Sequence, residues 1–249
     1  MTRTLYSVAL ILMIVLLCYL VYEGIRVMRL VAISKTLVRT AQNFERTEGV
    51  VSVLVLGDST AASVGSEPAL SVPGRLSEAL DASVENYATS GAKVRDVRGQ
   101  LTQAKSEHFD FALIQIGAND VIQFSSLDEV GALLDETLAL VGKRADKIIV
   151  LTAGKIGDAP LFPLFMRPIY NWRSANLRTQ FMMAAEKHGG VYVDIFSRSS
   201  PFASDPKKYY APDFLHLTGE GYGFWFTILR HQVEKKWQVS WINIKNTNR

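Results

Sequence analysis

Cysteine is almost missing from these 249 residues: Cys18 stands alone. No disulfide can form within the chain and no thiolate cluster can hold a metal, so cysteine usage is silent about redox compartment. An excess of one charge is missing too. The 27 Lys and Arg residues against 24 Asp and Glu leave a net charge of +3. That is too small to imply nucleic-acid binding without a clustered basic face. The basic residues that do gather, Arg26, Arg29, Lys35 and Arg39, follow a hydrophobic run and suit a membrane surface better. There are four histidines, with no pair in the H-E-x-x-H spacing of a metal site. No internal period or low-complexity tract is visible. What remains, 48% hydrophobic and 20% charged, describes a folded protein, long enough for one domain with a full core plus an appendage.

One long uncharged run stands out, LYSVALILMIVLLCYLVY over residues 5–22. Its length reaches the threshold for spanning a bilayer core, and Tyr19 and Tyr22 suit the interface at one end. Residues 1–22 are therefore expected to be a single-pass transmembrane anchor. Residues 23–48 read as an amphipathic or helical linker, 49–235 as the folded domain and 236–249 as a tail. A cleaved signal peptide competes with the anchor, but the run exceeds the usual apolar segment and no small-x-small site follows it. A lipoprotein signal through Cys18 would want a small residue where Leu17 stands. Arg3 alone precedes the run and the basic cluster follows it, a bias that favours a cytoplasmic domain.

Beyond residue 49, apolar β-branched runs alternate with helical patterns. Strands are expected at 50–56, 83–88, 109–116, 147–152 and 191–195, the first a continuous apolar run suited to burial on both faces. Helices are expected at 73–80, 94–105, 127–141, 173–188 and 219–235. Ser126 with Glu129 forms a capping-box signal, and Gly189-Gly190 a helix stop. Such alternation means a three-layer α/β fold with a parallel sheet and right-handed crossovers. Ligands in such folds sit at the carboxyl ends of the strands.

Those ends carry chemistry. After the first strand comes Gly57-Asp58-Ser59-Thr60, after the second Ala88-Thr89-Ser90-Gly91, and after the third Gly117-Ala118-Asn119-Asp120. Asp213-Phe214-Leu215-His216 precedes the last helix. A serine hydroxyl is a weak nucleophile until a base takes its proton. His216 is the candidate base, and Asp213, three residues earlier, is placed to fix its tautomer and stabilise the imidazolium. The backbone N–H groups of Ser59 and Gly91 and the Asn119 amide would supply three donors to a developing oxyanion.

These blocks resemble those of SGNH (GDSL-like) hydrolases. GDS at 57–59 matches the family's first block, Gly91 in NYATSG the second, GAND at 117–120 the third, and DFLH at 213–216 the Asp-x-x-His of the last. Each alone is a turn or cap signal, whereas four in order, each at a strand end or before a helix, form a specific pattern. The resemblance runs from about residue 51 to about residue 230. It implies a flavodoxin-like sheet, a Ser59–His216–Asp213 triad, an oxyanion hole of Ser59, Gly91 and Asn119, and no metal or organic cofactor. Two departures are present: GDST replaces GDSL, and Leu217-Thr218 stands where a Pro often follows the His.

The expected activity is cleavage of a small-molecule, lipid or acylated-glycan ester through an acyl-serine intermediate. The rivals are an acyltransferase with the same triad and an inactive membrane-anchored binding module. Asp58, Asp120 and Asp194 are expected to hold loops by hydrogen bonds, and His108, His188 and His231 to be structural or surface residues. The apolar, proline-containing stretch 156–172 follows the fourth strand. Its ordinary reading is a packed loop; its functional one is a lid or acyl pocket lined by Leu161, Phe162, Phe165 and Met166.

Overall fold

The apolar runs fold into five parallel strands. A computed structural model of the chain describes residues 2–198 and 200–238. Helix α1 (Thr2–Thr40) leads into β1 (Val51–Gly57), α2 (Val72–Leu80), β2 (Ala82–Asn86), α3 (Val94–Leu101) and β3 (Phe109–Gln115). Then follow α4 (Ala118–Ile122), α5 (Leu127–Val141), β4 (Ala145–Leu151), α6 (Arg167–Lys187), β5 (Val191–Val193), α7 (Ser200–Ser204), α8 (Pro206–Tyr209) and α9 (Gly219–Trp237). The strand order is β2-β1-β3-β4-β5, all parallel, which is the flavodoxin-like order. Helices α2 and α9 pack together on one face, and α3, α5 and α6 form a contiguous layer on the other.

Burial follows the strand positions. Central β1 and β3 are buried along nearly their whole length, whereas β2 alternates buried and half-buried residues, as an edge strand does. That edge is partly covered by an antiparallel bridge from Arg46 to Val84. The sheet order reverses between β1 and β3, and there Gly57 faces Gln115 so closely that a Cβ would lie 2.1 Å from the Gln115 carbonyl oxygen. Only glycine permits that approach.

The boundaries depart from expectation where polar side chains intervene. Strand β2 stops at Asn86 because its own side-chain oxygen, at 3.0 Å, takes the Ala88 N–H. Helix α3 ends at Leu101, not 105, since the Arg144 guanidinium takes the carbonyls of Leu101, Ala104 and Ser106. Helix α6 begins at Arg167, six residues before the expected start at 173. Pro168 read as a loop residue, but in a first helical turn its missing N–H costs nothing. The stretch 156–172 is therefore only partly loop.

Residues 23–48, expected as an amphipathic or helical linker, continue the N-terminal helix: α1 runs unbroken from Thr2 to Thr40, and residues 41–50 follow it as largely irregular chain. Along residues 5–22 the helix is exposed on every side, and it is long and apolar enough to cross a membrane, with mean hydropathy 2.6. At Glu23 a half-buried stripe begins: Glu23, Arg26, Val27, Leu30, Ser34, Leu37, Val38 and Ala41. Steps of three and four residues place these side chains on one helix face, and Val27, Leu30, Leu37 and Val38 pack against the domain core. The expected tail, 236–249, lies outside the described residues beyond Gln238.

Candidate active site

The turn after β1 carries Ser59. Its entry is held from below by Gln100 on α3, whose side-chain amide both accepts the Gly57 N–H and donates to the Gly57 carbonyl, each at 2.8 Å. The Asp58 carboxylate accepts the Thr60 N–H at 2.9 Å and its hydroxyl at 2.8 Å, fixing the residues on either side of the nucleophile. Burial pushes the Asp58 carboxyl up to about 6, against these hydrogen bonds. Asp58 is thus a loop-holding group, as expected. Asp120 likewise accepts the Val94 N–H at 3.0 Å, and Asp194 pairs with Arg178 at 2.7 Å.

The loop before α9 presents the other two groups. Its ends are joined by a bridge between Tyr210 and Leu217, and Thr218 caps α9 by accepting the Gly221 N–H. Leu217-Thr218, the departure from the family pattern, thus closes the loop and starts the helix. Phe214 adopts φ 55°, a left-handed conformation that costs an aromatic residue on the order of 1 kcal/mol or more. The turn aims Asp213 and His216 at each other. One Asp213 oxygen accepts the N–H groups of Leu215 and His216, and the other meets His216 Nδ1 at 2.5 Å. Burial works to raise the Asp213 carboxyl, but the His216 ring and the two backbone donors outweigh it and hold the group below the usual carboxylate range. His216 Nε2 lies 2.9 Å from Ser59 Oγ. Carboxylate, imidazole and hydroxyl therefore stand in series, all three buried.

Gly91 and Asn119 face the same space. Gly91 turns its loop with φ +85°, open to glycine without strain. Gly117 does the same at φ +114° to start α4, where Asn119 sits in the first turn. Asn119 Nδ2 donates to the Ala92 carbonyl at 3.0 Å, which ties the Gly91 loop to α4 and leaves the second amide hydrogen for another acceptor. Among the described residues, neither the Ser59 N–H nor the Gly91 N–H donates to a protein acceptor. Arg173 of α6 fixes α4 from behind, its guanidinium donating to the carbonyls of Asp120, Val121 and Ser125.

Ser59, Gly91, Asn119 and His216 open onto one cavity of about 220 Å³, with Asp213 behind the imidazole. Its apolar walls include Ile122, Ile156, Ile195, Phe202 and Trp225, and α1 contributes Ser34 and Val38. Leu161, Phe162, Phe165 and Met166 do not line it: the first two are buried in the core and Phe165 points to solvent. The acyl-pocket reading of those four residues is therefore wrong, and the wall comes partly from the N-terminal helix instead. His108 pairs with Asp146 and His188 with Asp135, both away from the cavity, and His231 is exposed.

Gln100 and Arg173 escaped the sequence reading. Their signal was a polar residue on an otherwise apolar helix face: Gln100 shares the stripe of Val94, Val97 and Leu101, and Arg173 that of Tyr170, Ser174 and Leu177.

A doubly wound parallel sheet, with a serine, an imidazole and a carboxylate in series at its carboxyl edge, defines a serine-hydrolase architecture of the SGNH type. The chain belongs to the GDSL-like Lipase/Acylhydrolase family, whose sequence profile matches residues 55–224. It is 25% identical over 203 residues to the GDSL-like esterase Rv1075c of Mycobacterium tuberculosis, covering 76% of this chain and 65% of that protein's length. The fold matches that of an extracellular lipase from Streptomyces rimosus, with TM-score 0.61 and 18% identity over 73% of this chain and 99% of the lipase. It also matches a catalytic mutant of the acetylxylan esterase Axe2 from Geobacillus stearothermophilus, with TM-score 0.57 and 20% identity over 79% and 98%.

If Asn119 is an oxyanion donor, Asn119→Ala should lower kcat on a soluble ester by about 10²–10³-fold with little change in KM. Steady-state kinetics checks this; an unchanged kcat removes Asn119 from the oxyanion hole.

Proposed function

We propose that this protein hydrolyses a carboxylic ester through an acyl-serine intermediate, from a membrane to which α1 anchors it. The reading is carried by the series Asp213–His216–Ser59, with contacts of 2.5 Å and 2.9 Å. Ser59 Oγ attacks the ester carbonyl as His216 Nε2 takes its proton, and Asp213 stabilises the imidazolium that forms. The Ser59 and Gly91 N–H groups and the Asn119 amide receive the oxyanion. His216 returns the proton to the leaving alcohol. A water that gives its proton to the same nitrogen then attacks the acyl-enzyme and frees the acid, restoring Ser59.

The apolar cavity beside Ser59 favours an ester with an aliphatic acyl part over a wholly polar substrate. The continuity of α1 supports a retained anchor over a cleaved leader, because the apolar run passes without interruption into the stripe docked on the domain.

Labelling with a fluorophosphonate probe tests the nucleophile. Wild-type protein should label, and Ser59→Ala should not, with both melting alike. Equal labelling of the two would assign the reactive serine elsewhere. A folded wild type that does not label would turn the protein into a binding module.

A further inference from the structure

We infer that the apolar patch Leu164, Phe165, Ile169 and Trp172 is a second membrane contact, which seats the domain on the bilayer that α1 crosses. The inference rests on the anchor reading of α1. The four side chains are 66%, 54%, 44% and 62% exposed, a dense group of large apolar residues facing solvent. Such a patch marks an interaction surface. Phe165, Pro168, Ile169 and Trp172 are exposed at helical spacing along the first turns of α6 and its entry. Asn176 and Thr179 continue the same line as polar residues and separate this patch from the exposed Met182 and Met183 further along the helix.

That end is the one tied to the anchor. Arg26 donates to the Pro160 carbonyl at 2.7 Å and the Leu161 carbonyl at 3.2 Å, and its guanidinium also pairs with Glu23. Arg26 lies four residues past Tyr22, about 6 Å along the helix axis from the end of the apolar run. Leu164 follows Leu161 by three residues, a reach of at most about 10 Å. The polar layer on each side of a bilayer core is roughly 5–8 Å deep. The two reaches, joined at the Arg26 hydrogen bonds, keep the near end of the patch, Leu164, close to that layer. Its composition suits the place: Trp is favoured at membrane interfaces, and Phe and Leu insert their side chains there. Arg29, exposed on the adjoining turn of α1, supplies positive charge for anionic head groups.

Spin labelling of the full chain in vesicles of phosphatidylcholine and phosphatidylglycerol tests the contact. Labels are placed one at a time by Phe165→Cys, Trp172→Cys and, farther along the same stripe, Thr179→Cys, each with Cys18→Ser. At 165 and 172 the ratio of collisions with oxygen to collisions with a water-soluble nickel chelate should be several-fold higher than at 179. Equal ratios at all three positions would overturn the contact. So would poor access of both reagents at 165 and 172, which would mean that protein covers the patch. An alkaline wash of the same vesicles keeps the two readings apart. Release of the chain defeats the anchor and the contact with it, whereas retention with water-facing labels defeats the contact alone.

Discussion

Asp213→Asn should lower kcat on a soluble ester by about 10⁴-fold, the size of effect this substitution has in serine-protease triads, while the domain melts near the wild-type temperature. The reason lies in which oxygen does what. One Asp213 oxygen is pinned by the N–H groups of Leu215 and His216 at 3.1 Å and 3.0 Å. An asparagine would keep its carbonyl oxygen there, because only an oxygen can accept both donors. Its NH₂ would then point at His216 Nδ1, where the carboxylate oxygen now stands. Two donors cannot face each other, so the ring would adopt the tautomer that carries its proton on Nε2. That proton would be aimed at Ser59 Oγ, and the base could no longer accept. Fold and loop survive because the backbone contacts do. Steady-state kinetics beside a thermal melt checks this. A loss below about tenfold would make Asp213 merely a turn residue, against the geometric roles that define a triad.

The wild-type carboxylate gives a related sign. Asp213 is held below the usual carboxylate range, first against burial and then by its His216 and backbone donors. Its contribution to stability is therefore present above the ordinary carboxylate pKa and is lost as pH falls through the depressed one.

The site was legible because each part of it lies at a strand end or just before a helix. Those positions are marked by residues with few alternative uses there: glycine at Gly57, Gly91 and Gly117, and a short Asp-x-x-His interval that one turn can close. Five strands and their parallel alternation were legible for the same reason that buried strands usually are, since β1 and β3 are apolar on both faces. Element ends were harder. They are set by side chains distant in sequence, such as Arg144 taking the carbonyls after α3, and local pattern carries no trace of such a partner. Gln100 and Arg173 were missed because chemistry was sought at the strand ends, whereas both act from helices to hold the backbone there. The cavity wall was missed for a different reason. Of the two readings of the apolar stretch 156–172, the packed loop fits Leu161 and Phe162, which are buried in the core, and the functional one sought the wall in the wrong segment. The wall residue Val38 lies in a segment whose amphipathic stripe was visible but was taken for a tether.

That stripe leads to the second large effect. Deleting residues 2–22 should yield a soluble domain with unchanged kcat/KM on a short soluble ester, because every side chain from residue 5 to residue 22 is exposed and none lines the cavity. Deleting residues 2–40 should do harm. It removes Val27, Leu30, Leu37 and Val38 from the core surface they cover, and the Arg26 bonds to Pro160 and Leu161 with them. Four partly buried aliphatic side chains at about 1 kcal/mol each amount to roughly 4 kcal/mol of burial. For a domain of this size that is a fall in Tm of about 10 °C. The cavity would also lose Ser34 and Val38 from its wall, so KM should rise more for esters with longer acyl chains than for acetyl esters. Thermal unfolding and kinetics on an acyl-length series measure both effects. If the two deletions melt together with the same KM values, α1 is only a tether and the domain does begin near residue 49. If the shorter deletion alone abolishes activity in a folded protein, the apolar run itself takes part in catalysis. The expected result lies between these: the helix is dispensable for turnover up to about Tyr22 and, from Glu23 onward, part of the domain, with Ser34 and Val38 in the wall of its cavity.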